Sequence, residues 1–175
     1  MVYIVLLAGV CAVIGFLIFA GAQPDAFRVQ RTATIEAPAD KVFAQINDFH
    51  NWRAWSPWEG LDPDLKRNYA GASSGKGAVY EWEGNAKVGQ GRMEIVESLP
   101  SAKIAIKMDF IKPFAGHSTV EFSLAPQGGA TLVAWTMQSP VPYMMKIMHL
   151  FVDMDKMLGK NFEDGLAKLK TAAEK

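Results

Sequence analysis

Reactive groups are scarce in this sequence. A single cysteine, Cys11, occurs in 175 residues and lies inside an apolar run, which excludes an intramolecular disulfide and any multi-cysteine metal site. Its 3 histidines, His50, His117 and His149, are scattered without metal-ligand spacing. Neither sign of charge dominates. Lys plus Arg equals Asp plus Glu at 18 each, so the basic excess that neutralises nucleic-acid phosphates is missing and no nucleic-acid partner is expected. A phosphate loop is missing too: "GASSGKG", Gly71 to Gly77, is one residue short of the required spacing and places Gly77 where a Ser or Thr would hold magnesium. It reads as a hairpin loop, and neither a cofactor nor a metal is expected. Internal repeats and low-complexity tracts are lacking as well.

Charge is also absent from the opening stretch, "MVYIVLLAGVCAVIGFLIFAGA", Met1 to Ala22. As a helix it would reach about 33 Å at ~1.5 Å per residue, the thickness of a bilayer core. The expectation is an uncleaved transmembrane anchor over 1–22, with the membrane as a partner. A secretory signal peptide cut after Ala20-Gly21-Ala22 is the competing reading, but the run lacks a basic n-region and exceeds the usual h-region of ~7 to 15 residues. Arg28 and Arg31 follow the run and no basic side chain precedes it, which favours a single-pass protein with its domain on the cytoplasmic side. Residues 23–26 form a short joint, and 27–175 is long enough for one domain.

What the domain does contain is alternation, then helical period. "FRVQRTATIEA" alternates as a half-buried strand does and stops at Pro38. "PADKVFAQINDF" spaces Val42, Phe43, Ile46 and Phe49 as a helix would, with Asp40 in its first turn. Strand candidates follow: a short one at Lys66 to Ala70, then Ala78 to Gly84, Val88 to Ser98, Lys103 to Ile111, His117 to Ala125 and Thr131 to Gln138. Hairpin chemistry separates them, at Gly84-Asn85, Leu99-Pro100-Ser101, Lys112-Pro113 and Gln127-Gly128-Gly129. From Pro142 the apolar residues Met144, Met148, Phe151, Met154, Leu158, Phe162, Leu166 and Leu169 recur at helical spacing, with a break near Val152 where Asp153 can cap a second segment. The class is α+β: about seven antiparallel strands, curved around a long C-terminal helix, because the apolar faces must bury each other.

Between the first helix and the second strand lies "NDFHNWRAWSPWEG", with Trp52, Trp55 and Trp58 three residues apart in a chain of 5 tryptophans. Taken with "IEAPADKVF", "GKGAVYEWEG" and "NFEDGLAKLK", this segment resembles the polyketide cyclase/dehydrase-like branch of the START-related SRPBCC superfamily. The likeness runs from about Phe27 to Lys170 and leaves out the apolar N-terminus. It implies a helix-grip fold with two short helices after the first strand and an elongated cavity between sheet and C-terminal helix. Trp52 and Trp55 would then pack the short helices across the cavity mouth, with Trp58 pinning the loop beyond; burial of three tryptophans contributes on the order of 10 kcal/mol.

Strand parity tests for chemistry. With the apolar parity inward, the sheet offers Tyr80, Trp82, Met93, Ile95, Ile104, Ile106, Met108, Phe110, Val120, Phe122, Val133, Trp135 and Met137, and no strand-borne acid or base. Glu81, Glu83, Arg92, Glu94, Lys103, Lys107, Asp109 and Glu121 point outward. Asp48, His50, Glu59 and His117 read as polar residues in solvent, so no catalytic residue is assigned. The expected cavity residues are Trp55, Tyr80, Trp82, Met93, Ile106, Met108, Phe110, Phe122, Trp135, Met148 and Phe151, with the flexible methionines of the last helical region suiting varied shapes. The expected function is binding of a hydrophobic small molecule: a lipid, isoprenoid, quinone or aromatic metabolite. Two alternatives are carried: a cyclase or dehydratase with Tyr80 or His117 assisting proton transfer, and a protein-interaction module with a filled cavity.

Overall fold

The computed structural model describes residues 2–175, and the side chains of all of these except 2, 4, 5 and 8. Helix α1 covers Val2–Gly21, and strand β1, Ala26–Ile35, leads through Pro38 into α2, Ala39–Asn47. A 3-10 helix over Phe49–Ala54 carries Trp52 and ends at Trp55. Six strands follow: β2 Lys66–Gly71, β3 Ala78–Glu83, β4 Gln90–Leu99, β5 Lys103–Lys112, β6 Gly116–Gln127 and β7 Ala130–Pro140. The chain closes with α3, Tyr143–His149, and α4, Met154–Ala173. The sheet is antiparallel throughout in the order β1-β7-β6-β5-β4-β3-β2. Each strand from β2 onward pairs with its successor in the chain, and β1 closes onto β7.

The alternation in the sequence becomes two faces. Ile95, Ile104, Ile106, Phe122 and Val133 are wholly buried on one of them, under α2 and the Phe162, Leu166 and Leu169 stripe of α4. On the other face charges pair across strands, as opposite charges on neighbouring strands should, Arg92 with Glu81 and Lys103 with Glu97 and Glu121, and along single strands, Arg92 with Glu94 and Lys107 with Asp109. Register shifts interrupt the β4–β5 ladder at Gln90/Gly91 and Ile95/Glu97, the kind of irregularity that bends a strand. Gly165 has a matching role on α4. A Cβ there would come within 2.7 Å of the Trp135 ring, so the glycine that weakens the helix lets it sit close against β7.

The tryptophan segment is a helix cap as much as a wedge. Helix α2 ends with carbonyls that have no partner in the helix. The indole N–H of Trp52 donates to Ile46 O at 2.9 Å, that of Trp55 to Gln45 O at 3.1 Å, and the Asn51 amide to Ala44 O at 3.0 Å. Both tryptophans are thereby buried without an unpaired donor, against Phe122 and Trp135.

Two expectations are corrected. Helix α1 forms, but among the described residues no helix is long and apolar enough to cross a membrane. Helix α1 packs instead against α3. Its last turn is held by protein: the Tyr143 hydroxyl donates to Leu17 O at 2.8 Å, and Lys146 Nζ donates to Gly21 O at 3.1 Å while pairing with Asp25. The transmembrane helix in the fold, the single-pass anchor over 1–22 and the membrane localisation drawn from it are therefore replaced by a helix docked on α3; Met1 itself lies outside the described residues.

The second correction concerns the C-terminal stripe. The break near Val152 is present, with Asp153 accepting from Lys156 N at 2.9 Å as the cap of α4. Because α3 turns away there, Met148 and Phe151 are 50% and 76% exposed instead of lining the interior.

Candidate functional site

The register of the sheet builds a cavity in steps. At the outer step Lys112 lies opposite Gln90. One step in, Phe110 and Trp82 flank Gly91, and the next row is Met108, Met93 and Tyr80. Beyond them Ile95 and Ile106 are wholly buried and close the end. These rows, with Trp52, Trp58, Trp135, Met137, Leu158 and Phe162, surround a cavity of 270 Å³ between the sheet, α4 and the loop after the 3-10 helix.

Local geometry fixes the wall. Trp82 lies flat across β4 because residue 91 is glycine: a Cβ there would sit 2.4 Å from the ring. Its indole N–H donates to Val88 O at 3.0 Å, which ties the ring to the β3–β4 loop. Trp135 stacks on Phe162 with centroids 4.2 Å apart and an interplanar angle of 7°. Among the described residues, its Nε1 and the Tyr69 hydroxyl are the two buried side-chain polar atoms without a partner. Trp135 therefore lines the cavity with its ring, while its indole N–H is buried and unpaired.

A polar cluster stands beside the innermost lining row. The Tyr80 hydroxyl donates to Glu59 Oε1 at 2.6 Å, and Arg67 Nε donates to Glu59 Oε2 at 2.7 Å. The Glu59 side chain is 8% exposed and that of Arg67 20%. Burial raises the Tyr80 phenol far above its ordinary range, and the Glu59 hydrogen bond and charge raise it further, so it remains a protonated donor. Tyr69 is raised in the same direction, by burial and then by Glu59. Burial opposes the Arg67 charge, but the Glu59 hydrogen bond and charge outweigh it and its pKa is raised.

The expected site residues divide accordingly. Tyr80, Trp82, Met93, Met108, Phe110 and Trp135 line the cavity together. Trp55, Ile106 and Phe122 do not; all three are packed in the solid core, Ile106 one register step beyond the cavity end. Met148 and Phe151 face away from it on and after α3. Asp48 caps the 3-10 helix, accepting from His50 N at 2.9 Å and meeting His50 Nδ1 at 2.7 Å. The His50 ring stacks on Tyr69 rather than entering the cavity. His117 is exposed on β6 opposite Asp109. Glu59 is a correction: it is a nearly buried lining residue, not a solvated helix end. So is the absence of inward strand charges, since Arg67 pairs in register with Trp82 and shares its face. The signal was available. Half-buried Arg67 and Tyr69 alternate with exposed Lys66 and Asn68, so one face of β2 carries both.

Sheet, grip helix and apolar cavity define a helix-grip fold. The chain belongs to the family "Polyketide cyclase / dehydrase and lipid transport", whose model matches residues 26–174. Similar solved structures include CV1439 from Chromobacterium violaceum, at 17% identity and a TM-score of 0.59, over 87% of this chain and 99% of that one. Mll3558 from Rhizobium loti is 18% identical with a TM-score of 0.60, over 84% and 96%. The di-domain ARO/CYC StfQ from the steffimycin biosynthetic pathway is 12% identical with a TM-score of 0.59, over 85% of this chain and 51% of that one. At these identities the likeness is one of fold. No curated protein matches in sequence.

Proposed function

We propose that this chain binds a hydrophobic small molecule, a lipid, isoprenoid, quinone or aromatic metabolite, in the cavity between the sheet and α4. The observation that carries the reading is the wall itself. Trp82, Phe110, Met108, Met93 and Met137 present apolar or thioether surface, while polar groups are confined to Glu59, Tyr80, Ser56 and the rim. A site of 270 Å³ lies just under the ~300 to 1,000 Å³ common for small-molecule pockets, and a few placed polar groups in an apolar wall are what such sites use for orientation. The methionines add tolerance of shape.

The test is binding of a neutral fluorescent apolar probe to the full chain. Phe110→Ala changes its affinity by several fold, whereas Met148→Ala, outside the cavity, leaves it unchanged. If no apolar probe binds, or if Met148 matters as much as Phe110, the reading fails and the interaction module takes its place.

One observation favours the enzymatic alternative, a cyclase- or dehydratase-like reaction. The Tyr80 phenol and Glu59 carboxylate, 2.6 Å apart, form a donor and acceptor pair at the cavity wall. In that reading the phenol turns its single O–H from Glu59 to a substrate carbonyl. Turnover that falls ~100-fold or more in Tyr80→Phe with binding intact would favour that reading.

A further inference from the structure

The mouth of the cavity differs in chemistry from its wall. The lining residues exposed to solvent are Ala86 and Lys87 from the β3–β4 loop and Lys112 and Pro113 from the end of β5. Both lysines are exposed, and neither makes an ion pair among the described residues. The nearby carboxylates are engaged elsewhere. Glu83 pairs with Lys66, Asp109 with Lys107, and Asp62 accepts from the backbone N–H groups of Asp64 and Asn85. The lysines also stand on fixed supports. The β3–β4 loop is closed by Gly84 N donating to Gly89 O at 2.9 Å, Lys87 N to Asn85 Oδ1 at 2.9 Å and Asn85 N to Asp62 Oδ2 at 2.6 Å. Lys112 is held in register with Gln90.

Charge is of the opposite sign further in. Tyr80, which holds Glu59, lies four residues before the turn at Gly84, ~13 Å of strand away at ~3.3 Å per residue. Glu59 is matched by Arg67, so an anion entering the cavity finds an occupied carboxylate inside and two free ammonium groups outside. Resting on the hydrophobic-ligand reading, we infer that the ligand is an amphiphilic anion. Its apolar body occupies the cavity, and its charged group stays at the mouth between Lys87 and Lys112.

The experiment compares pyrenebutanoic acid with its methyl ester, two probes alike in apolar body and different in charge, by fluorescence titration of the full chain at low salt. The acid binds about tenfold more tightly than the ester, as two exposed ammonium groups near one carboxylate allow, and the preference shrinks as salt is added. Lys87→Glu together with Lys112→Glu removes the preference while ester binding stays within about twofold. Lys76→Glu, a like change in the hairpin before β3, leaves the preference in place. Equal binding of acid and ester to the unaltered chain overturns the inference and leaves the cavity reading standing. A preference that survives the double reversal also overturns it. If neither probe binds, the hydrophobic-ligand reading falls as well.

Discussion

Removing the Glu59 carboxylate tests whether the cluster beside the cavity is a buried ion pair or only a surface one. In Glu59→Ala the Arg67 guanidinium, with its side chain 20% exposed, loses its carboxylate partner and keeps the 2.8 Å hydrogen bond to Leu65 O. Breaking a buried pair from one side costs ~3 to 5 kcal/mol, and the partial exposure of Arg67 argues for the lower end. The Tyr80 phenol, 4% exposed, loses its acceptor at the same time, at ~1 to 3 kcal/mol. The two losses share one carboxylate and do not add in full, so the expected cost is about 4 kcal/mol, or a fall in Tm of about 10 °C for a domain of this size. Urea unfolding at neutral pH, with the slope m unchanged, measures the first figure and calorimetry the second. Glu59→Leu with Arg67→Met should recover most of the loss, because an apolar pair of similar volume often matches a buried ion pair. A loss below ~1 kcal/mol in the single variant, the range of surface pairs, or a double variant no better than the single, would refute the reasoning.

Alkaline stability and the glycine of the cavity wall give two further expectations. Tyr80 and Tyr69 are raised above their ordinary value of 10.0, so above that pH the unfolded chain releases these protons first. Their contribution is complete below about pH 10 and is lost above it, by up to ~1.4 kcal/mol per pH unit for each phenol. Tyr80→Phe should flatten the fall of unfolding free energy between about pH 10 and 12, and an unchanged slope would count against a buried phenol. Gly91→Ala drives a methyl to within 2.4 Å of the Trp82 ring. The expected cost is ~1 to 3 kcal/mol with weaker probe binding, and an unaltered Tm would mean that the ring is not held against β4.

The fold was readable where one periodicity runs long enough to have no competitor. In β4 to β7 the alternation persists over ten or more residues per strand, and a one-residue slip would turn the whole apolar set to solvent. Boundaries were less readable. Val88 and Gly89 alternate with the strand that follows, yet Gly84 N donates to Gly89 O and the ladder to β3 begins at Gln90 and Glu83. Spacing misled at α3, where Met144, Met148 and Phe151 keep the helical interval but the backbone breaks before Asp153. Continuity of period carries a face across a break only if the axis continues, and no local propensity encodes the angle between two helices.

The site was readable from the sheet and unreadable from the loop for a related reason. A strand residue's face follows from its neighbours by alternation, which is why Tyr80, Trp82, Met93, Met108 and Phe110 could be placed on one wall. Alternation does not say how deep a cavity runs, however, and Ile106 and Phe122 share the face of the lining residues while lying in solid core. Depth is set by what packs from the other side, here Trp52, Trp55 and α4, which are far away in sequence. Glu59 has no periodicity to betray it. It follows Ser56-Pro57-Trp58 in irregular chain, and only the pairing of β2 with β3, which sets Arg67 beside Trp82 and Tyr69 beside Tyr80, brings a cation and a phenol to its two oxygens. A carboxylate in a loop is solvated by default; what buries this one is a pair of partners on strands whose register must form first, so a charged cluster of this kind is fixed by topology rather than by local sequence.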